Sequence, residues 1–186
     1  RETIFIRIEN TDSGCVNTIS QFDVIVNPEP VFVTPTNLAY CDDAMDGDDA
    51  NGIIQNIDLN SKIPEILGAT QNPNDFLVTF HKSQANATSG NDAVASPYEN
   101  TNTTERFFVR IQNKQTLCVN DDTSFEVIIN ALPDFEVTNL QILCLNDLPL
   151  NIAVENPRDV YSYVWRDGNG NPLNTSSVDN IDVVSA

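Results

Sequence analysis

Five carboxylates are concentrated in the nine residues from Cys41 to Asp49, which read Cys-Asp-Asp-Ala-Met-Asp-Gly-Asp-Asp. Calcium takes about six to eight oxygen ligands, which acidic side chains, backbone carbonyls and water supply when a loop turns around the ion at a glycine such as Gly47. Carboxylates crowded into one short loop also repel each other unless a cation neutralises them. We therefore predict a Ca²⁺ site. The predicted ligands are Asp42, Asp43, Asp46, Asp48, Asp49 and Asp58.

The spacing of these acids does not follow the EF-hand pattern. Glycine comes one place after Asp46, and no glutamate closes the loop at the position where an EF-hand requires it. Asn51 and Gln55 are further oxygen donors nearby. The alternative interpretation is a solvated acidic turn that binds nothing.

Catalysis is not expected from these residues, so we predict that the chain is not an enzyme. A glycosidase needs two carboxylates held apart across a cleft, whereas these acids share one loop. Triad chemistry would depend on His81, the only histidine. Because His81 follows a strand-like run and precedes Lys82, we expect it at the surface.

The charge balance excludes some partners. The 186 residues carry 27 Asp and Glu against 9 Lys and Arg, a formal charge of −18. Phosphate would repel such a chain, so nucleic acid is not an expected partner. With 40% hydrophobic residues the chain can still build a core. No run of 18 apolar residues predicts a membrane span, and the first residue, Arg1, suggests a processed piece or an excerpt.

The four cysteines indicate disulfide bonds rather than a zinc site. They form no CxxC pair, and the sequence has a single histidine, whereas a structural zinc site requires four Cys or His ligands with close spacing. Disulfides persist in oxidising compartments, so we predict an extracellular location.

An internal repeat organises the chain. Residues 2–8 align with residues 105–111, which lie 103 positions later. The same offset pairs Asn10 with Asn113, Cys15 with Cys118, Phe22 with Phe125, Asn27 with Asn130, Pro30 with Pro133 and Cys41 with Cys144. A register kept through strands, a turn, cysteines and a proline indicates tandem modules.

The repeat predicts three segments. Residues 1–30 are the C-terminal strands of a preceding repeat, residues 31–133 a complete module, and residues 134–186 the start of a third, related module. The third segment keeps Cys144 but has Leu-Asn-Asp-Leu-Pro-Leu where the second has its acidic cluster. Prolines at the joints favour rod-like stacking of neighbouring repeats.

Two disulfide connectivities fit the repeat. In one, Cys41 bonds to Cys118 within residues 31–133, and Cys15 and Cys144 have partners elsewhere. In the other, Cys15 bonds to Cys41 and Cys118 to Cys144, so that the bonds join successive modules. We favour the Cys41–Cys118 bond, since a self-contained domain is expected to carry its own cross-link.

Short alternating segments predict an all-β fold of tandem immunoglobulin-like β-sandwich modules with little helix, about seven strands to a module. Residues 61–67 form one helical turn or a loop, and residues 83–104 read as a long surface connection. Trp165 is compatible with the buried tryptophan of an immunoglobulin-like sheet, and is also what any amphipathic strand would bury. The predicted strands are residues 3–9, 22–26, 53–59, 76–80, 105–111, 125–130, 148–154 and 161–165.

A string of motifs across residues 1–133 resembles the repeats of very large Bacteroidetes surface adhesins, the SprB-like gliding-motility adhesins. The motifs are Tyr40-Cys41-Asp42-Asp43, Asp46-Gly47, Ile57-Asp58-Leu59, Val78-Thr79-Phe80-His81-Lys82-Ser83, Asn91-Asp92-Ala93, Ser96-Pro97-Tyr98, Phe107-Phe108-Val109-Arg110-Ile111 and Cys118.

This resemblance implies a non-enzymatic stalk module at the cell surface, exported through the type 9 secretion translocon and folded outside, where calcium is plentiful. The expected partners are neighbouring repeats of the same chain, the translocon during export, and surface polysaccharide. The alternative is an accessory carbohydrate-binding module of a large secreted polysaccharide-degrading enzyme. Aromatic side chains exposed along one groove, drawn from Tyr98, Phe108 or Tyr161, would favour that alternative.

Overall fold

The computed structural model describes residues 1–48, 50–137, 149–174 and 179–183. It divides into two compact units, residues 1–131 and residues 132–186. Strands account for 36% and helices for 11% of the chain, which confirms the predicted all-β fold class.

The first unit begins with an antiparallel hairpin of β1 (Glu2–Glu9) and β2 (Val16–Val24). The Asn10 side chain accepts hydrogen bonds from the amides of Asp12 (2.9 Å) and Ser13 (3.1 Å), which folds the turn between the strands. The sequence predicted both strands, although β2 begins earlier than residue 22. Side chains on both faces of β2 are exposed.

A four-stranded sheet forms the centre of the first unit. It consists of β3 (Leu38–Cys41), β4 (Phe76–His81), β5 (Thr104–Asn113) and β6 (Val119–Asn130), in the order β3-β6-β5-β4. β5 is antiparallel to both β4 and β6, while β3 is parallel to β6. Alternate residues of β5 and β6 are buried, so one face of the sheet carries the core.

Loops and short helices cover this face. The α-helices are α1 (Ile63–Leu67) and α2 (Gln84–Ser89), and 3₁₀ turns occupy Leu59–Lys62 and Pro73–Asp75. The core packs apolar residues of this layer against the sheet. Its members are Ile54, Ile57, Leu59, Ile66, Leu67, Phe80, Phe107, Val109, Ile111, Phe125, Val127 and Ile129.

The covering layer differs in detail from the sequence-based expectation. The strand predicted at residues 53–59 is wrong: only Ile57 forms a β-bridge, to Tyr98. Asn56 has a positive φ of 63°, and Asp58 caps the following 3₁₀ turn, so the chain leaves extended geometry there. Within residues 83–104, α2 stands where a surface connection was expected. The second sheet of a sandwich therefore stays a prediction, since among the described residues of 31–131 this layer is helical and irregular.

The second unit contains a hairpin of β7 (Leu150–Ala153) and β8 (Asn180–Val183). β7 confirms part of the strand predicted at residues 148–154. Tyr161, Tyr163 and Trp165 alternate with exposed residues and are half-buried, but the described backbone there forms only an isolated bridge between Arg166 and Pro172. Among the residues that the model describes, no helix is long and apolar enough to cross a membrane.

Candidate functional site

The acidic loop starts where β3 ends. In the parallel pair, Cys41 lies opposite Asn130, the last residue of β6. The Asp42 amide donates to the Asn130 carbonyl at 2.9 Å, and the Asn130 side-chain amide donates to the Tyr40 carbonyl at 3.1 Å. These bonds fix Cys41 and the first residue of the loop to the end of the central sheet.

Asp42 holds the loop closed. Its side chain is 3% exposed, and one carboxylate oxygen accepts from the amide of Asp43 at 2.9 Å. The other oxygen accepts from the amide of Gly52 at 2.7 Å, ten residues along the chain. Both oxygens of this predicted calcium ligand are thus engaged by backbone donors, and Asp42 has a structural role in the described loop.

The remaining described acids of the loop fold it locally. The side chains of Asp43, Asp46 and Asp48 each accept from the amide two residues later, at 2.9, 3.0 and 3.0 Å. Asp46 also accepts from the side-chain amide of Asn51 at 2.7 Å. This hydrogen bond is the main cause that lowers the pKa of the exposed Asp46 carboxyl.

Asp58 lies outside this loop, as the N-cap of the first 3₁₀ turn. It accepts from the amide of Asn60 at 3.0 Å and from the Ser96 hydroxyl at 3.1 Å. Burial, and then the charge of Asp58, raise the pKa of Tyr40. Asp49 is outside the described residues. Among the residues that are described, no three Asp, Glu, His or Cys side chains are grouped to hold a metal, so the calcium site stays a prediction.

The cysteines occupy separate ends of the first unit. Cys15 and Cys41 are exposed, Cys118 is half-buried, and all three are free thiols. Cys118 directly precedes β6 and Cys41 pairs with its last residue, so the whole 12-residue strand separates them. At about 3.3 Å per residue this separation is roughly 35–40 Å, whereas a disulfide requires Cα atoms within about 7 Å.

The expected Cys41–Cys118 bond is therefore corrected: the two thiols of one module cannot meet, because β6 holds them apart. Cys144 lies outside the described residues. The sequence offered no indication of this separation, since the partner of β3, and hence the end of the sheet at which Cys41 lies, comes from long-range strand pairing.

The hairpin reproduces the pairing of β5 and β6. Glu2 pairs with Val24 as Glu105 pairs with Val127, and the irregularity between Ile6 and Ile8 recurs between Val109 and Ile111. All these positions differ by 103. The segment after β2 in the preceding repeat therefore corresponds to Asn130 and the residues after it in the complete module.

That segment is fixed to the module that follows. The side-chain amide of Asn120 donates to the Pro30 carbonyl at 2.9 Å, and the Gln71 amide donates to the Val31 carbonyl at 2.6 Å. The Val33 amide donates to the Ile66 carbonyl at 2.9 Å. The Cys118 thiol lies 3.9 Å from the Asn27 carbonyl oxygen. Four residues of the module, at the start of β6, in α1 and in the loop after α1, thus hold the connection.

His81 is buried, contrary to its expected surface position. Its Nδ1 donates to the Asn91 carbonyl at 2.7 Å, which leaves Nε2 to accept from the Thr79 hydroxyl at 2.9 Å. His81 is the last residue of β4, an edge strand whose inner face reaches the core. The histidine therefore has a structural environment.

The basic residues beside the sheet also have internal partners. Lys82 donates to the buried Glu105 at 2.7 Å, with its ammonium 4.1 Å from the centre of the Phe107 ring. Burial alone would raise the pKa of Glu105, but hydrogen bonds from Lys82, Thr101 and Tyr98 outweigh it and lower the pKa to about 2. The sequence did not predict this pair of an exposed lysine and a buried glutamate.

The repeated arginines differ in their partners. Arg7 forms an ion pair with Glu9 at 2.7 Å. Arg110 instead donates to the carbonyls of Ala87 (3.0 Å) and Thr88 (2.9 Å) near the end of α2. Carbonyls at a helix C-terminus attract a cation, so Arg110 fixes α2 to the sheet.

The second unit contains an apolar groove of about 440 Å³. Half-buried aromatic residues line one side, with Tyr161 and Tyr163 in an edge-to-face arrangement at 6.4 Å. The Tyr163 hydroxyl accepts from the Arg158 amide at 2.7 Å. The lining is mostly apolar and includes Phe135, Val154, Val160 and Trp165.

Residues 37–133 match the family described as the Flavobacterium inter-domain disulphide bond domain, and this match covers more than half of the chain. No curated protein matches the chain.

Proposed function

Because the chain belongs to the Flavobacterium inter-domain disulphide bond domain family, we propose that residues 31–133 form a load-bearing spacer module of a secreted surface adhesin. An inter-domain disulfide is compatible with an extracellular or secreted protein of Flavobacterium type, because such bonds persist in oxidising surroundings. The spacer connects the neighbouring modules and performs no catalysis.

The observation that carries this proposal is the fixed connection ahead of the module. Asn27 and Pro30, ahead of the module, contact Cys118 and Asn120, and the first residues of the module bond to Gln71 and Ile66, so the connection is not a free linker. A connection with several hydrogen bonds to the following module resists bending, which a projecting stalk requires.

We place the module in a gliding-motility or attachment adhesin exported by the type 9 route, on the strength of the motif resemblance. The neighbouring repeats are its principal partners, and surface polysaccharide is the substratum of the whole adhesin. The cell surface is the proposed location.

In-frame deletion of residues 31–133 from the gene of the producing bacterium tests the spacer role. The shortened protein should still reach the cell surface, but cells should attach to glass or glide less well. An unrelated β-domain of equal length should restore attachment in part. Unchanged attachment and gliding after the deletion would contradict the proposal.

Calcium binding by the acidic loop is part of the proposal. The exposed Asp46 and Asp48 can turn towards an ion more readily than the buried Asp42, whose oxygens already accept two backbone amides. Support comes from the crowding of acids in the sequence, since a cation relieves their repulsion.

Thermal melting of the whole chain in EGTA and in millimolar CaCl₂ tests this site. We expect calcium to raise the melting temperature by about 5 °C. Asp46→Asn/Asp48→Asn should abolish the shift yet melt close to wild type in EGTA, because each asparagine oxygen still accepts from the amide two residues later and only the exposed Asn51–Asp46 bond is lost. Asp75→Asn, outside the loop, is the control. Equal melting temperatures with and without calcium would contradict the proposed calcium site.

The groove of the second unit supports the alternative, a carbohydrate-binding module, because tyrosines and a tryptophan line it. Tyr98, by contrast, packs edge-to-face on Phe107 at 5.2 Å and belongs to the core. Retardation of the chain in gels containing soluble polysaccharides, lost in Tyr161→Ala, would support this second function. Equal mobility with and without polysaccharide would argue against it.

A further inference from the structure

Asn27 lies at the junction between the preceding repeat and the module of residues 31–133. The thiol of Cys118 lies 3.9 Å from its carbonyl oxygen. Two residues further on, Asn120 binds the carbonyl of the buried Pro30. The start of β6 is therefore in contact with Asn27 and Pro30, which follow the β1–β2 hairpin.

A second cysteine belongs at the same junction. Within the complete module, Asn130 is the counterpart of Asn27, and Cys41 lies directly across the parallel pairing from Asn130. Adjacent strands are about 4.8 Å apart. Because the hairpin repeats the register of β5 and β6, a preceding module folded like residues 31–133 has its own equivalent of Cys41 beside Asn27.

We propose that the inter-domain disulfide of this family joins Cys41 of one module to Cys118 of the module that follows it. This inference rests on the proposed function as a tandem module. The Cys118 thiol lies against the residue at the Asn27 position, and the repeated register puts Cys41 of the preceding module beside the same residue, whereas the two cysteines of one module are a full strand apart.

The pairing of Cys15 with Cys41 does not suit this geometry. Cys15 precedes β2, so the nine-residue strand, about 30 Å long, separates it from the junction. Cys41 is likewise a strand length away from Cys118, the thiol that is at the junction. Cys118, rather than Cys15, therefore takes the bond to the preceding module.

The bond requires an oxidant, which we assign to the class of small-molecule or protein disulfides. The Cys41 thiolate attacks the oxidant's disulfide and releases one thiolate from it. The Cys118 thiolate of the next module then attacks the Cys41 sulfur of the mixed disulfide and releases the second. Two protein thiols lose two protons and two electrons, and one disulfide is reduced to two thiols.

The test uses the whole chain with a second copy of residues 31–133 inserted after residue 133. Cys15 and Cys144 are replaced by serine, and each of three variants keeps two cysteines. The first keeps Cys41 of copy one and Cys118 of copy two. The second keeps Cys118 of copy one and Cys41 of copy two, and the third keeps both cysteines of copy one.

After treatment with oxidised glutathione, the remaining thiols are alkylated and the monomers are weighed by mass spectrometry, which separates an internal disulfide from a mixed disulfide with glutathione. We expect the first variant to form the internal disulfide and the other two to form only mixed disulfides or to stay reduced. Matching circular dichroism spectra of the reduced proteins establish that all three fold alike.

Oxidation of the second or third variant in preference to the first would overturn this pairing while leaving a disulfide-linked spacer in place. Three variants that all stay reduced would overturn the pairing and also remove the disulfide from the proposed function. Equal oxidation of all three would also contradict the assigned geometry.

Discussion

Glu105 is a buried carboxylate that its hydrogen-bond donors keep ionised. It is 8% exposed on β5 and receives hydrogen bonds from Lys82 and Thr101. A carboxylate stabilised in this way favours folding only while it is ionised. The module should therefore lose stability in acid.

The sign of this pH dependence follows from the lowered pKa. Glu105 has a pKa of about 2 in the folded module against its usual 4.5. Its contribution is present above pH 4.5 and is lost as the pH falls towards 2. By linkage the contribution is at most about 3 kcal/mol. We expect Glu105→Gln to flatten the fall in unfolding free energy across this window.

Urea unfolding at a series of pH values measures this effect. Glu126→Gln is the matched control, because Glu126 pairs with Arg106 in a more exposed position on the neighbouring strand. The control should keep the acid dependence of wild type. A Glu105→Gln profile that falls as steeply as wild type would show that this carboxylate does not carry the effect.

At the scale of elements, the conformation of the acidic loop depends on Gly52, where the loop packs against Thr103 beside the sheet. Gly52 has a φ of +73°, and a Cβ there would lie 2.5 Å from the Thr103 methyl carbon. Its amide also donates to Asp42. Glycine is thus required here both by backbone conformation and by space.

We expect Gly52→Ala to cost about 2–3 kcal/mol of unfolding free energy, more than Gly47→Ala, which has nothing within 4 Å of the added Cβ. Thr103→Ser removes the methyl group that causes the clash, so the double variant should recover part of the loss. Chemical denaturation of the four proteins measures these differences. Equal costs for the two alanine variants would contradict the steric argument.

The sequence predicted β1, β4, β5 and β6, because apolar residues in these strands recur at every second position. In β5 and β6 this alternation places the buried side chains on one face of the sheet. It did not predict β3, which has four residues, or α2, which is held by the distant Arg110. The sequence identified the residues of the acidic loop. It did not predict their hydrogen-bond partners Gly52 and Asn130, because tertiary folding brings these residues to Asp42.

The same limit applies to the cysteines. Their equal spacing in the repeat was visible in the sequence, but both pairings considered there depended on which end of a strand each thiol occupies. Only the parallel pairing of β3 with β6 places Cys41 beside Asn130.

At the scale of the whole molecule, modules joined by a disulfide should resist extension. A bond from Cys41 of one module to Cys118 of the next encloses most of two modules. Force applied to the ends of the chain then bypasses the enclosed residues, because the disulfide carries the load. Reduction should make the array extensible without changing the fold of each module.

Stretching single molecules of the chain with duplicated residues 31–133, before and after reduction, tests this account most directly. The bond would enclose 180 residues, since Cys118 of the second copy lies at position 221 and Cys41 of the first at position 41. The reduced chain should extend about 600 Å further on full unfolding than the oxidised chain. Equal extensions would contradict the disulfide-linked spacer.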